Sequence, residues 1–269
     1  HLLVYGTGYY INGKNHAVLG YKDTYTFEAS KNGVKGALAI KPGTQNYWHD
    51  NTEKLDAYQN GTHANCDWIV EEVTTLPVTV TAAQVTFNGD TKCVSTLFAP
   101  VALEVPAGIT AYIGVNEDNY LAMEAIEAEK GAEKAIIPAN TGVILMADAD
   151  ADGTYDFKIS PEDGTAIEAG DNIIAGTVAK TIITPATINP GANTTCYVLA
   201  KKDEKVGLYK AKLNYKNGTK IQEEGVVGDQ FLNNAFKAYV PVEGAQDANA
   251  PALVMRFGRG QGTTEIELP

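Results

Sequence analysis

Apolar residues alternate with polar ones along most of this chain, and a 3.6-residue repeat is scarce, so strands must build most of it. Val78, Val80 and Ala82 alternate with threonines and a second alanine, and Val85 and Phe87 flank Thr86. Val143–Ile144–Leu145, Cys196–Tyr197–Val198–Leu199, Val206–Gly207–Leu208–Tyr209 and Ala235–Phe236–Lys237–Ala238–Tyr239–Val240 are further short strand-like runs. Turn formers separate them: Asn88–Gly89, Asn217–Gly218, Asp152–Gly153 and the stretch Pro138–Ala139–Asn140–Thr141–Gly142. Asn-Gly and Asp-Gly pairs tolerate the positive φ angles that two-residue hairpins require. Short strands punctuated in this way predict an all-β protein, a sandwich or barrel, with at most one short helix. The helical candidate is Tyr120 to Lys134, rich in Ala, Glu and Met. Gly131 interrupts it, and a strand followed by a loop reads equally well there.

At 269 residues the chain exceeds the usual size of one core, so one large or two modest domains are expected. Its net charge of −12 repels phosphate backbones and argues against nucleic acid as a partner. No apolar run approaches the roughly 18 residues that span a bilayer, so no membrane span is expected. The opening HLLVYGTGYY has neither a charged n-region nor a long apolar h-region. It reads as a strand entered midway, and the expectation is a fragment or mature form of a longer protein. Cys66, Cys93 and Cys196 form no CxxC pair. Cys93 and Cys196 stand in apolar runs and read as buried thiols; a Cys93–Cys196 bridge is the alternative, which spacing alone does not decide.

The N-terminal segment repeats itself. Tyr10–Ile11–Asn12 matches Tyr47–Trp48–His49 at an offset of 37, and Val18 matches Leu55 and Tyr21 matches Tyr58 at the same offset. Tyr25–Thr26–Phe27–Glu28 then matches Trp68–Ile69–Val70–Glu71 at an offset of 43. A duplicated strand unit of about 40 residues has the period of trefoil lobes, none of which buries its apolar face alone. Two units are visible where three would close a pseudo-threefold barrel, and the third is expected upstream of residue 1. Thr74–Thr75–Leu76–Pro77 reads as a linker, with Pro77 suited to a strand start or edge. The predicted domains are therefore 1–75 and 76–269.

Two resemblances attach to these segments. Gly8–Tyr9–Tyr10–Ile11–Asn12–Gly13 and Cys66–Asp67–Trp68–Ile69–Val70 resemble the strand and closing tryptophan motifs of ricin-type trefoil lectins. The usual Gln-x-Trp reads Cys66–Asp67–Trp68 in this chain. Residues 76–269 resemble a β-domain found in secreted and surface proteins of gut-dwelling, Bacteroidetes-type Gram-negative bacteria. The phrases that carry this likeness are Thr96–Leu97–Phe98–Ala99–Pro100–Val101–Ala102–Leu103, Val105–Pro106–Ala107–Gly108–Ile109 and Gly262–Thr263–Thr264–Glu265–Ile266–Glu267. The resemblances imply a partial β-trefoil-like segment followed by a β-sandwich or barrel domain. They also imply export to the cell surface or exterior, and an accessory role beside other domains of the same polypeptide.

A trefoil lectin pocket holds a sugar between an aromatic face and an Asp/Asn pair that hydrogen-bonds vicinal hydroxyls. The second repeat offers Trp48, His49, Asp50, Asn51, Asp56, Tyr58 and Asn65 for that purpose. The competing reading has the aromatics packing the lobe and the polar residues solvating turns. Trp68, whose position repeats as Tyr25, reads as core. Asp148, Asp150 and Asp152 followed by Gly153 match the opening of a calcium loop, but Ile159 stands where an EF-hand needs its bidentate acid. A solvated hairpin competes with calcium there, and no other cofactor is expected. Catalytic groups are sparse: the histidines are His1, His16, His49 and His63, and the serines are Ser30, Ser95 and Ser160. The expectation is a non-catalytic accessory region that binds carbohydrate through its trefoil-like segment. The alternative is a structural or protein-interaction module without a sugar site, with a surface protein as partner.

Overall fold

Most of the described residues lie in strands, with one short helix, as the alternating pattern predicts. The chain forms two units, His1–Val73 and Thr74–Pro269. The computed structural model describes residues 3–4, 9–12, 18–19, 25–32, 35, 38–42, 47–51, 54–58 and 67–68 of the first. In the second it describes 74–80, 84–87, 90–117, 120–148, 153–168, 170–190, 193–202, 205–223, 225–243, 252–257 and 264–265.

The first unit contains β1 (Leu3–Val4), β2 (Tyr9–Asn12), β3 (Val18–Leu19), β4 (Tyr25–Ala29), β5 (Leu38–Pro42), β6 (Tyr47–Asn51), β7 (Lys54–Tyr58) and β8 (Asp67–Trp68). They pair as β1-β2-β3, β4-β5-β8 and β6-β7. The internal repeat is legible in this order. A shift of 37 residues carries β1 into β5, β2 onto β6 and β3 into β7, and a shift of 43 carries the start of β4 onto Trp68 of β8. Each copy is thus four strands long, and in each the second and third strands pair as a hairpin. In β5, Ala39 and Ile40 are buried.

The second unit begins with β9 (Thr75–Val80), β10 (Gln84–Phe87), β11 (Asp90–Phe98), β12 (Leu103–Glu104), β13 (Ile109–Glu117), β14 (Tyr120–Ala125), β15 (Ile136–Ile137), β16 (Gly142–Asp148) and β17 (Gly153–Lys158). It continues with β18 (Ala175–Thr177), β19 (Thr181–Ile183), α1 (Pro185–Ile188), β20 (Thr195–Lys202), β21 (Lys205–Lys210), β22 (Tyr215–Lys216), β23 (Thr219–Lys220), β24 (Phe231–Asn233), β25 (Lys237–Val242), β26 (Ala252–Phe257) and β27 (Thr264–Glu265). The main sheet runs β10-β11-β16-β13-β14-β26-β21-β20-β25-β18, with β27 added beside β26. From β11 to β18 it curls into a nearly closed barrel of nine strands. Among the described residues no ladder joins β11 to β18, but β11 is tied to β25, the neighbour of β18: Phe98 N donates to Phe236 O at 3.0 Å and Ala238 N to Thr96 Oγ1 at 3.2 Å.

Strand β16 shows why the barrel is stable. Its residues from Gly142 to Ala147 are buried, the continuous apolar pattern of a strand covered on both faces. Ile144 and Met146 join Val94, Leu121, Met123, Tyr197, Leu208 and Met255 in the barrel core. Val143, Leu145 and Ala147 belong instead to an outer layer, where the β9–β17 pair brings Val78, Val80 and Phe157. Pro77 lies in β9, whose sole ladder partner among the described strands is β17, so it sits at an edge as its missing N–H requires.

Turn chemistry is equally direct. Asn217 and Gly218 have φ of 49° and 76°, and the flanking Lys216 and Thr219 pair, which is a two-residue hairpin with both central residues left-handed. Phe87 pairs with Asp90 on either side of Asn88–Gly89. Residues Tyr120 to Ala125 are strand, not helix. Leu121, Ala122 and Met123 are buried where β14 lies between β13 and β26, so sheet pairing overrides their helical propensity. The one helix among the described residues, α1, is a single turn with Pro185 at its start. Cys93 and Cys196 are buried thiols with no disulfide, and they lie in separate apolar clusters. Among the described residues no helix is long and apolar enough to cross a membrane.

Candidate functional site

The seam of the barrel is where polar residues interrupt otherwise apolar strands. In β11, Ser95 and Thr96 are buried between Val94 and Leu97. Opposite them β25 opens with Lys237, preceded by Phe236 at φ 57°. A bulky residue in the left-handed region is uncommon and stores backbone strain, and such residues gather at functional sites. Asn233, buried in β24, fixes the turn: its Nδ2 donates to Lys237 O at 2.8 Å and to Thr177 Oγ1 at 2.9 Å. Lys237 Nζ then reaches across the seam, donating to Ser95 Oγ at 3.0 Å and to Thr96 O at 3.4 Å. Ser95 Oγ in turn donates to Thr79 O at 3.2 Å.

Beside this lysine lies a cleft of about 600 Å³. Lys201, Lys212, Lys220 and Lys237 line it, together with Asn214 and Tyr215. Leu199, Val206 and Phe231 supply apolar wall, and among the described residues no aspartate or glutamate contributes. Burial holds the Lys237 pKa below its ordinary value, because the ammonium leaves water. Two of its three donors have neutral oxygen acceptors, and it forms no ion pair among the described residues. The arrangement can hold an anion.

Sequence reasoning missed this site. The signal lies in residues 201–220, which hold seven of the chain's 21 Lys and Arg against only Asp203 and Glu204. That excess stands out in a chain of net charge −12.

The residues singled out for sugar binding fall mainly on the β6–β7 hairpin. Its register pairs Tyr47 with Tyr58, His49 with Asp56 and Asn51 with Lys54, which places positions 49, 51, 56 and 58 in one row. Trp48 and Asp50, paired with Ala57 and Leu55, fall in the other row. Asn65 lies outside the described residues.

Of the three aspartates in the calcium motif, Asp148 ends β16, pairs across the ladder with Lys92 and forms an ion pair with its Nζ. Asp150 and Asp152 lie outside the described residues. The flanking elements are strands β16 and β17. Among the described residues no three His, Cys, Asp or Glu side chains converge as a metal site.

Other charged and nucleophilic groups have structural settings. Glu104 accepts from Lys134 Nζ at 3.0 Å and Lys158 Nζ at 3.2 Å, and those two bonds hold its pKa below the usual carboxylate value. Burial pushes the Cys196 thiol up to about 12, so it stays protonated and unreactive near neutrality. Tyr239, in the same apolar cluster as Cys196 and edge-on to Phe231, is pushed up to about 12, chiefly by burial. No family model, no curated protein and no solved structure matches the chain.

Proposed function

We propose that this chain is a non-catalytic accessory region of an exported protein, in which the duplicated N-terminal unit recognises glycan and the barrel serves as scaffold. The observation that carries the reading is the four-strand duplication, whose second and third strands pair as a hairpin in both copies. Four strands to a lobe with a central hairpin is the order of a trefoil lectin, and the second hairpin carries His49, Asn51, Asp56 and Tyr58 in one row. Such a row offers a ring for CH–π contact beside acceptors and donors for sugar hydroxyls. The barrel supports the scaffold role through β16, whose burial on both faces ties an inner and an outer apolar layer together.

A glycan array probed with the full chain tests this. Binding should follow sugar stereochemistry, and Asp56→Ala should abolish it while leaving the melting temperature within a degree or two. Asp50→Ala, in the other row, should leave binding in place. An array with no stereochemically consistent binding, or retention by Asp56→Ala at wild-type strength, rejects the sugar site. That result would leave the chain as a structural or protein-interaction module.

A further inference from the structure

We propose that the lysine-lined cleft at the barrel seam binds a small oxyanion-bearing molecule, with its carboxylate, sulfate or phosphate group set against Lys237 and its uncharged body against the Leu199–Phe231 wall. The site lies wholly within the second unit and stands whether or not the first unit binds sugar.

Charge distribution is the first support. The chain as a whole carries −12, so its general field repels anions, yet the described residues that line this one cleft include four lysines and no acid. Of these, Lys212 and Lys220 form no ion pair among the described residues. Opposite charges are abundant in the chain, with 33 Asp and Glu, but among the described residues none pairs with Lys212, Lys220 or Lys237.

The second support is Lys237. A cation withdrawn from water costs free energy unless it is paired, and neutral hydrogen-bond acceptors offset that cost only in part. Its Nζ meets Ser95 Oγ and Thr96 O, both neutral. An incoming oxyanion supplies the missing countercharge and accepts the remaining N–H. The lysine is also held in place before any ligand arrives. Asn233 clamps its carbonyl, and Phe236 turns the chain into β25 in a left-handed conformation. Preorganised donors lose little freedom on binding, which favours a real site over an incidental cluster.

Size and lining define the ligand class. About 600 Å³ lies within the range of small-molecule pockets, roughly 300–1,000 Å³. The cations are all lysine, a point charge with three rotatable donors and no planar fork. They select for negative charge and not for a particular oxyanion shape. Asn214 and Tyr215 offer neutral hydrogen-bond partners to the rest of the molecule.

Calorimetric titration of the full chain at low ionic strength tests the proposal with three probes: digalacturonate, its neutral methyl ester and inorganic phosphate. Either anion should bind and the methyl ester should not. Binding confined to digalacturonate identifies an acidic saccharide as the source of the anion, and binding confined to phosphate identifies a phosphate group. Lys237→Met should weaken binding about tenfold or more. The exposed pair Lys212→Gln/Lys220→Gln, which leaves the seam intact, should also weaken it severalfold. Lys130→Gln, outside the cleft, should change nothing. Equal binding of acid and ester, no binding of either anion, or unaltered affinity in both the Lys237→Met and Lys212→Gln/Lys220→Gln proteins overturns the proposal.

Discussion

Gly176→Ala probes how the barrel closes, and its effect can be worked out from the contact it would make. A Cβ at position 176 would lie 2.3 Å from Phe98 Cβ, 2.5 Å from Cγ and 2.7 Å from Cδ2. These atoms sit at the root of the side chain, and Phe98 is itself tied across the seam through its N–H to Phe236 O. Relief therefore requires β18 or β11 to move. Overpacking of this kind costs about 1–3 kcal/mol. Replacing glycine also restricts the unfolded chain, which stabilises by about 0.4–1 kcal/mol wherever the native backbone accepts alanine. Gly153→Ala isolates that second effect, because a Cβ there meets nothing within 4 Å. The difference between the two variants should thus be about 1–3 kcal/mol, or roughly 2–12 °C in melting temperature for a unit of this size. Calorimetry or far-ultraviolet circular dichroism is the assay of choice. Both tryptophans, Trp48 and Trp68, belong to the first unit, so their fluorescence does not follow the barrel. If the two variants melt together, β18 does not close against β11 and the seam has been misassigned.

Leu145→Ala removes a fully buried side chain from the outer layer beneath the β9–β17 pair and should destabilise by about 2–5 kcal/mol in urea titration. Asn233→Ala takes both clamping bonds from the Lys237 turn, so it should cost about 1–3 kcal/mol and weaken anion binding in the same protein. Alkaline pH should destabilise the second unit. Cys196 and Tyr239 ionise at ordinary values of 9.0 and 10.0 when unfolded, and each is pushed up to about 12 in the fold. From about pH 9 the unfolded state sheds protons that the folded state keeps, so stability present below pH 9 falls progressively toward pH 12. Urea midpoints measured between pH 8 and 11 should show the decline, and Tyr239→Phe should flatten its upper part. A level profile would mean that neither group is buried as described.

Local chemistry was legible wherever one stretch of chain decides its own conformation. Asn217–Gly218 forms its hairpin because those two residues alone accept the dihedrals. The duplication in the first unit was visible because the chain could be compared with itself. The Tyr120–Lys134 segment was ambiguous for a physical reason: Leu121, Ala122 and Met123 favour helix in isolation, and only neighbours β13 and β26 make them strand. The cleft was the least legible feature. Lys237 meets Ser95 across 142 positions, and nothing local to either residue announces the other. Only the lysine excess of residues 201–220 marked the region.

Strand β26 enters the wall between β14 and β21, and its register with β14, Tyr120 to Val254, is the single parallel pairing among the described strands. The middle of the barrel is consequently finished by a segment that follows both of its neighbours, β14 and β21, in the chain. Until that segment emerges, the facing edges of two earlier strands remain open and able to recruit wrong partners. Pairing across so long a stretch of chain is also slow, since the loop must close before any contact rewards it. Folding deferred until β26 is available would suit such a wiring better than stepwise closure of the earlier strands.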